Sequence, residues 1–380
     1  MSLTPRRWDK VAEMEQSTIA TDCRIGGGAN GSKTSITIVP LNCNNSGGGC
    51  GIITNEMWLL NKNEPGCAFE NQCWVEVGYW NAPGNGYSES YFWADNRPGS
   101  LVIIHFFGDI PAGDYNVSTA FTIAHDCGST CYDVNVAGAK DSFHGLSTNN
   151  TMNPTSPDSV IRIGMEVAGS NSDAASAGHA YFTYNQWESS SGTWNYQTNC
   201  GAYKKPPYCA YNPDSDAPPW MEMITQPVNG NNGGSYRTRC CTPTSIATHP
   251  AQVPSNAPAS PAHTLGLPAI TAHVRQQNGA MIDSSSVASW VLSHPLPRAT
   301  RNGSLARPTG IQKIVFAKSQ DISKLLDGEN MGVPDNTLLC YAQVSGVFEF
   351  PSPSRGKEFV YHQGIEVFDA TTGNLLMVAG

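Results

Sequence analysis

The sequence predicts a mainly β protein: an antiparallel β-sandwich of the jelly-roll type, followed by a small α+β domain. Only 14% of the 380 residues are charged, while Gly occurs 37 times and Pro 26 times. This composition is typical of proteins built from strands and turns. About ten short alternating segments joined by turn residues lie between Cys23 and Cys200. Eleven of the twelve cysteines lie between Cys23 and Cys241, so the cysteine-rich part of the chain ends there and a region of different composition follows.

Shifts in composition divide the chain into four segments. Residues 1–22 form an N-terminal segment with one short helical candidate, Trp8 to Glu15, and residues 23–242 form the disulfide-rich β-sandwich domain. The end of that domain, from Lys204 to Cys241, is expected to be a set of loops stapled by cysteines. Residues 243–264 are rich in Pro, which is typical of a linker, and residues 265–380 form the α+β domain.

The strands of the first domain combine β-branched and aromatic residues with turn residues between them. The turn Asn81-Ala-Pro-Gly-Asn-Gly86 predicts a hairpin between its flanking strands. No helix of ordinary length is expected before residue 200. The predicted strands are Ser35–Pro40, Glu56–Asn61, Cys73–Trp80, Ser90–Ala94, Leu101–Phe107, Tyr115–Ile123, Tyr132–Ala137, Val160–Val167 and Ala180–Asn185.

The C-terminal domain is predicted to contain two short helices and four strands. The helices are Ser284 to Ser293, with a serine N-cap, and Asp321 to Asp327. Cys340, the one cysteine of this domain, is expected to be unpaired or buried. The predicted strands are Ile311–Ala317, Leu338–Phe350, Phe359–Phe368 and, after the turn Asp369-Ala-Thr-Thr-Gly373, Asn374–Val378.

The cysteine spacing favours disulfides over a metal site. Zinc sites need C-x2-C pairs or His partners at ligand spacing, and neither pattern occurs, so no metal is expected. Disulfides form in oxidising compartments, which predicts a secreted, extracellular protein. The close pairs are Cys43/Cys50, Cys67/Cys73, Cys127/Cys131 and Cys200/Cys209.

Charge and hydropathy exclude two classes of partner. The net charge is -9 and no Lys/Arg block is present, which argues against nucleic acid because binding it requires neutralised phosphates. No apolar run approaches the ~20 residues that span a bilayer. No cofactor is expected either.

Two predicted strands each carry a glutamate in unusual surroundings. In Trp74-Val-Glu76-Val-Gly78-Tyr-Trp80, alternation places Glu76 on one face with Trp74, Gly78 and Trp80. In the strand Val160–Val167, Glu166 shares a face with Gly164. A solvated face would more usually carry Lys, Thr and Ser.

Two carboxylates brought together can perform acid-base chemistry because their proximity separates their pKa values. One stays ionised and activates water, while the other stays protonated and donates to the substrate. The alternative is that Glu76 and Glu166 are separate, solvated residues on an exposed face. Sequence alone does not decide whether they meet.

The order of these features resembles the glutamic peptidase families, namely the fungal eqolisins and, in its paired glutamates, the plant neprosin type. The resemblance covers about residues 55 to 190. The hairpin segment Trp93-Ala-Asp-Asn-Arg-Pro98 departs from both families. The matching features are Met57-Trp58-Leu59, Trp74-Val-Glu76-Val-Gly78, Tyr91-Phe-Trp93-Ala-Asp95, Gly108-Asp109 and Gly164-Met165-Glu166.

The resemblance implies a concanavalin-like β-sandwich that cuts polypeptides at acid pH without a covalent intermediate. It implies Glu166 as general base and Glu76 as its electrophilic partner, although the two roles could be exchanged in a coupled pair. Core packing remains the alternative for each aromatic residue, and turn formation is the alternative for the aspartate. The residues expected to line the substrate cleft are Trp58, Trp74, Trp80, Trp93 and Asp95.

A second function class remains open. A concave face rich in Trp with a few carboxylates also suits a glycan-binding or glycan-cleaving protein, with a polysaccharide as the partner. The C-terminal hairpin Val367-Phe-Asp-Ala-Thr-Thr-Gly373 resembles PepSY-like or cystatin-like domains. That resemblance implies an inhibitory or chaperoning module, with a plain accessory domain as the alternative.

Overall fold

A computed structural model shows two antiparallel β-sheets packed face to face; a C-terminal unit adds strands to the first sheet and packs a helix on its outer face. The predicted fold class, a mainly β sandwich followed by an α+β region, is confirmed. The structure describes residues 16–24, 28–43, 52–61, 73–82, 87–96, 102–127, 131–138, 142–148, 152, 159–168, 175–197, 220–225, 235–240, 265–272, 279–301, 304–351 and 358–380.

The described residues of the N-terminal two thirds contain fifteen strands. They are β1 (Gln16–Arg24), β2 (Gly31–Thr37), β3 (Leu41–Cys43), β4 (Ile52–Asn61), β5 (Cys73–Asn81), β6 (Ser90–Asn96), β7 (Val102–Asp109), β8 (Ser118–Ala124), β9 (Tyr132–Ala137), β10 (Ser142–Thr148), β11 (Ser159–Ala168), β12 (Ala175–Glu188), β13 (Trp194–Tyr196), β14 (Trp220–Thr225) and β15 (Ser235–Cys240).

The described residues of the C-terminal third contain two helices and six strands, and the strands range from 2 to 14 residues in length. These elements are α1 (Ser284–Ser293), β16 (Thr300–Arg301), β17 (Ser304–Leu305), β18 (Gly310–Lys318), α2 (Ser319–Leu325), β19 (Leu338–Pro351), β20 (Glu358–Asp369) and β21 (Leu375–Ala379).

The first sheet runs through both parts of the chain in the order β1-β11-β4-β5-β6-β7-β21-β20-β19-β16-β17, and β18 also pairs with β19. The second sheet has the order β10-β9-β8-β2-β12-β15-β14, and β3 and β13 also pair with β12. The core between the sheets is apolar, as strict alternation along the strands requires. It joins Met57, Val75 and Val77 of the first sheet to Phe121 and Phe182 of the second.

The C-terminal unit is continuous with the first sheet. Strand β21 pairs antiparallel with β7, and Val102 and Gly380 exchange backbone hydrogen bonds of 2.9 and 3.1 Å. A second apolar core joins the outer face of this sheet to α1, β19 and β20. The division into domains at 242 and 265 stays a prediction, and the linker 243–264 lies outside the described residues.

Several local predictions are corrected. Residues 16–22 of the predicted N-terminal segment belong to β1, which pairs with β11 along its whole length, and the boundary at residue 22 stays a prediction. The expected stapled loops contain β14 and β15, because the long strand β12 offers β15 an edge to pair with. The N-cap of α1 is Asp283, which accepts a 2.7 Å hydrogen bond from the Ser286 amide, and is not a serine. The helix candidate Trp8 to Glu15 lies outside the described residues.

Two of the predicted cysteine states are confirmed. Cys127 and Cys131 form a disulfide, and Cys340 is free and buried. Cys73 is also disulfide-bonded, while Cys67, its expected partner, lies outside the described residues. No helix within the described ranges is long and apolar enough to cross a membrane.

Candidate functional site

Strand register brings Glu76 and Glu166 to one face of the first sheet. Strand β4 lies between their strands, with Trp58 opposite Glu76 and Thr54 opposite Glu166. Directly paired residues share a face, and so do alternate residues along a strand, so both carboxylates point to the outer face. Both glutamates are buried. We call this surface the glutamate groove; it is formed by Glu56, Glu76, Glu166, Trp58, Trp74 and Trp80.

The two carboxylates meet at one side chain, Arg298. Its Nη1 donates to Glu76 Oε1 at 2.5 Å and its Nη2 donates to Glu166 Oε2 at 3.2 Å. The guanidinium carbon lies 4.4 Å from the ring centroid of Phe92, a cation–π contact. Arg298 is itself buried. Two glutamates 90 residues apart in sequence therefore bind opposite ends of one planar cation.

A third glutamate, Glu56, completes the cluster. Its Oε2 lies 3.7 Å from Arg298 Nη2, and its Oε1 accepts a 2.5 Å hydrogen bond from Thr54 Oγ1. Thr54 Oγ1 in turn accepts a 3.1 Å hydrogen bond from the Glu166 amide. This chain of contacts links the Glu56 carboxyl to the backbone that carries Glu166, so Glu56 is placed to position Glu166.

Burial and crowding change the ionisation of this cluster. Loss of solvent raises the pKa of the Glu56 carboxyl well above its ordinary value, and repulsion from Glu76 raises it further. Burial alone would lower the pKa of Arg298, but attraction to Glu76, Glu56 and Glu166 raises it overall. The arginine therefore stays charged, and burial favours the neutral form of the Glu56 carboxyl.

Arg298 reaches the glutamates from a strained turn. We call residues 296–299 the Arg298 turn; the Ala299 amide donates to the Leu296 carbonyl at 3.1 Å across it. Pro297 precedes Arg298, whose φ is 61°, as in a type II turn where Gly usually takes the left-handed position. For a residue with a side chain this conformation costs about 1–2 kcal/mol. The turn therefore accepts strain while it places the guanidinium in the groove.

The C-terminal unit covers the glutamate groove. The Tyr87 hydroxyl donates to the Pro295 carbonyl at 3.0 Å, and the Tyr87 ring lies between Trp80 and Trp290, with centroids 5.9 and 6.4 Å away. Leu296 and Ala299 are fully buried. In this structure the segment 295–299 occupies the position that a ligand above the glutamates would take.

The expected cleft residues divide between the two faces of the sheet. Trp58, Trp74 and Trp80 lie on the glutamate face, in the core shared with the C-terminal unit. The placement of the other two is corrected: Trp93 pairs with Val77 and Asp95 pairs with Val75, so both lie on the opposite face. Residues paired with core-facing valines must face the core as well. Trp93 packs between the sheets and stacks on His105 at 3.9 Å.

Gly78 allows Glu56 to occupy the groove. A Cβ at residue 78 would lie 2.3 Å from the Asn55 carbonyl oxygen and 2.5 Å from the Glu56 Cβ. We expect Gly78→Ala to destabilise the fold by about 1–3 kcal/mol, because the added methyl overpacks the contact between β4 and β5. Chemical denaturation would measure this loss. Ala94→Gly, on the neighbouring strand, is the comparison, and a Gly78→Ala variant as stable as the wild type would contradict the close contact.

The sequence prediction did not include two residues of the cluster. Glu56 carries a detectable signal, because it alternates with Trp58 on a strand that pairs with the Glu76 strand. Arg298 carries no such signal, since it lies 132 residues after Glu166 in a turn without a motif. Within the described ranges, no three His, Cys, Asp or Glu side chains are grouped to hold a metal ion.

Comparison with known proteins gives only distant similarities. No protein-family model and no curated protein matches the chain. The solved structure of scytalido-glutamic peptidase with a peptide-based transition-state analogue matches with a TM-score of 0.39 and 11% identity, over 60% of this chain and 99% of that chain. SCP-B, a member of the eqolisin family of peptidases in complex with the tripeptide Ala-Ile-His, matches with a TM-score of 0.37 and 10% identity, over the same shares.

Proposed function

We propose that this protein is a secreted acid endopeptidase of glutamic type that uses Glu76 and Glu166 to activate water. The observation that carries the proposal is that these two carboxylates converge on a single buried group, Arg298, at the floor of a tryptophan-rich groove. Buried carboxylates that share one small space are the arrangement that separates an acid from a base.

The reaction requires Arg298 to be withdrawn and one glutamate to be protonated. Glu166 then takes a proton from water while the water oxygen attacks the peptide carbonyl carbon, and protonated Glu76 donates to the carbonyl oxygen. Glu166 returns its proton to the leaving amide nitrogen as the carbon–nitrogen bond breaks, and Glu76 takes back a proton from the hydroxyl of the intermediate, which leaves the carboxylic acid product. Since one carboxyl must be neutral and the other charged, the reaction should favour acid pH.

The walls of the groove suit a polypeptide. The indole Nε1 groups of Trp58 and Trp80 are buried and have no hydrogen-bond partner among the described residues. Buried donors of this kind strongly favour an acceptor, and peptide carbonyls supply acceptors at regular spacing. The apolar ring faces would hold the side chains between those carbonyls.

Replacing either glutamate tests the proposal directly. We expect Glu76→Gln and Glu166→Gln to lower the rate of cleavage of a denatured protein at acid pH by about 10²–10⁴-fold, since each removes one proton-transfer group. The rate would be measured by gel and mass spectrometry after the full chain is incubated in acid. Glu188→Gln, a strand glutamate of the second sheet, is the control that should keep the wild-type rate.

Persistent cleavage in either variant would contradict the glutamate pair as the catalytic centre. The same preparations would be mixed with polysaccharides to test the other function class. Sugar release that depends on Glu76 and Glu166, or retention on a glycan without any cleavage of protein, would replace the peptidase proposal with a glycan-directed one.

A further inference from the structure

The C-terminal unit supplies both the cover of the glutamate groove and the charge that neutralises it. Arg298 occupies the space between Glu76 and Glu166, where the proposed mechanism requires water and a peptide carbonyl. Tyr87 fixes the adjoining backbone through Pro295. The groove in this structure is therefore closed by residues of its own chain.

We propose that residues 265–380 act as a built-in inhibitor of the glutamate site, with Arg298 as the inhibitory residue, and that acidification loosens the inhibition. The proposal rests on the proposed peptidase function, and it identifies how that site is regulated. Arg298 pairs with Glu166, the proposed general base, and it also fills the space that the attacking water would occupy.

Charge accounts for the acid sensitivity. The titratable groups that face the guanidinium are Glu56 from β4, Glu76 from β5 and Glu166 from β11; Arg162 also lies on this face of β11. A protonated carboxyl keeps only a neutral hydrogen bond to arginine and loses the charge attraction. Each proton gained by the cluster therefore weakens the hold on Arg298.

Only a short segment has to move. The backbone pairing of β21 with β7 is independent of the glutamates, and on the opposite face of the sheet Glu329 contacts His105 at 2.9 Å. Apart from the ion contacts of Arg298, two backbone hydrogen bonds tie the Arg298 turn to its neighbours: the Leu296 amide to the Ala306 carbonyl at 2.9 Å, and the Ala306 amide to the Ala299 carbonyl at 2.9 Å. The turn can withdraw while the sheet stays intact.

The strained backbone is consistent with a turn that opens more readily than the rest of the C-terminal unit. Arg298 has a positive φ of 61°, a conformation that surrounding contacts must maintain. Its ion pairs with the glutamates are contacts of that kind. When they weaken, the turn loses the interactions that offset its strain, so opening is favoured at this position over the rest of the unit.

Hydrogen exchange tests the release without any substrate. The full-length wild type, Arg298→Gln and the exposed-arginine control Arg301→Gln would be compared at pH 4 and pH 7, with intrinsic rates corrected. We expect the amides of Leu296, Ala299 and Ala306 to lose at least ~10-fold protection in the wild type at pH 4. Arg298→Gln should show that loss at both pH values, while the Val102 amide at the β7–β21 junction stays protected in all three proteins.

Cleavage of a denatured protein at pH 4 then tests the inhibition. We expect Arg298→Gln to cleave from the first minutes at least ~10-fold faster than the wild type, which should show a lag, and Arg301→Gln should match the wild type. Arg298→Lys keeps a charge in the groove and should fall between them. Adding Glu166→Gln to Arg298→Gln should abolish cleavage.

The two proposals fail in different ways. Equal initial rates for the wild type and a folded Arg298→Gln variant, with the turn protected in both, would overturn the inhibition and leave the peptidase proposal standing. No cleavage by Arg298→Gln after its turn has lost protection would overturn the peptidase proposal, and the inhibition with it.

Discussion

Arg298→Met should destabilise the folded chain by about 3–5 kcal/mol near pH 7, because the change leaves buried carboxylates without their counter-charge. Glu76 and Glu166 are both buried at the contact that would be lost. Methionine keeps much of the apolar volume, so the effect reports mainly on charge. In the variant, the Glu56 carboxyl loses the attraction to Arg298 that lowers its pKa, so the folded state should hold a proton on it up to a higher pH than the unfolded state does.

The sign of the pH dependence follows from that shift. A carboxyl whose folded pKa is raised destabilises the fold as pH rises through the range between its unfolded and folded values. The difference between Arg298→Met and the wild type should therefore shrink towards pH 4 and be largest at neutral pH. Urea denaturation at both pH values would measure it, with Arg301→Met as the matched control on an exposed arginine.

A double-mutant cycle separates pairing from packing. If the ion pair carries the effect, adding Glu76→Gln to Arg298→Met should recover part of the lost stability, because the unpaired charge is then gone. The loss of stability in Arg298→Met could instead be equal at pH 4 and pH 7 and unchanged by Glu76→Gln. That result would show that Arg298 contributes through packing alone.

The second large effect is expected at Glu366, a buried carboxyl on β20. Burial raises its pKa to about 8, and its Oε2 has no hydrogen-bond partner among the described residues. From an ordinary value near 4.5, a rise of this size corresponds to about 3–5 kcal/mol at 1.36 kcal/mol per pKa unit. Because the folded value is raised, stability from this group is complete below about pH 4.5 and is lost as pH rises towards 8.

Glu366→Gln should remove this loss. Glutamine cannot ionise, so the variant should be less stable than the wild type, or equal to it, at pH 5 and more stable at pH 8.5. Free energies of unfolding measured across this range would show the crossing. Glu349→Gln on the neighbouring strand β19 is the control. If the free energies of unfolding of the wild type and Glu366→Gln change with pH in parallel, the Glu366 carboxyl must reach water or a partner.

The two effects bear on the same region of the molecule. Glu366 and Tyr87 interact electrostatically, and the Tyr87 hydroxyl bonds the segment that leads to Arg298. The C-terminal cover should therefore be destabilised at high pH, where Glu366 ionises, and at low pH, where the glutamate cluster is protonated. The closed groove should be most stable at intermediate pH.

How much the sequence could predict depended on the range of the interactions. Alternation within Cys73–Trp80 correctly placed Trp74, Glu76 and Trp80 on one face, because the period of a strand is local. Alternation within one strand does not say which residues of a neighbouring strand share its face. It therefore could not place Trp93 and Asp95 of β6 relative to Glu76 of β5. Their face depends on the β5–β6 register, which pairs them with Val77 and Val75.

Composition and alternation alone determined the β-sandwich, most of its strands, the helices of the C-terminal region and two glutamates in apolar surroundings, since each depends on residues close in the chain. Only the tertiary structure decided that these glutamates share a groove, that Glu56 joins them and that Arg298 closes it. The two hydrogen bonds of Arg298 join positions 222 and 132 residues apart. Their formation depends on the summed packing of two cores, and no short stretch of sequence contains that information.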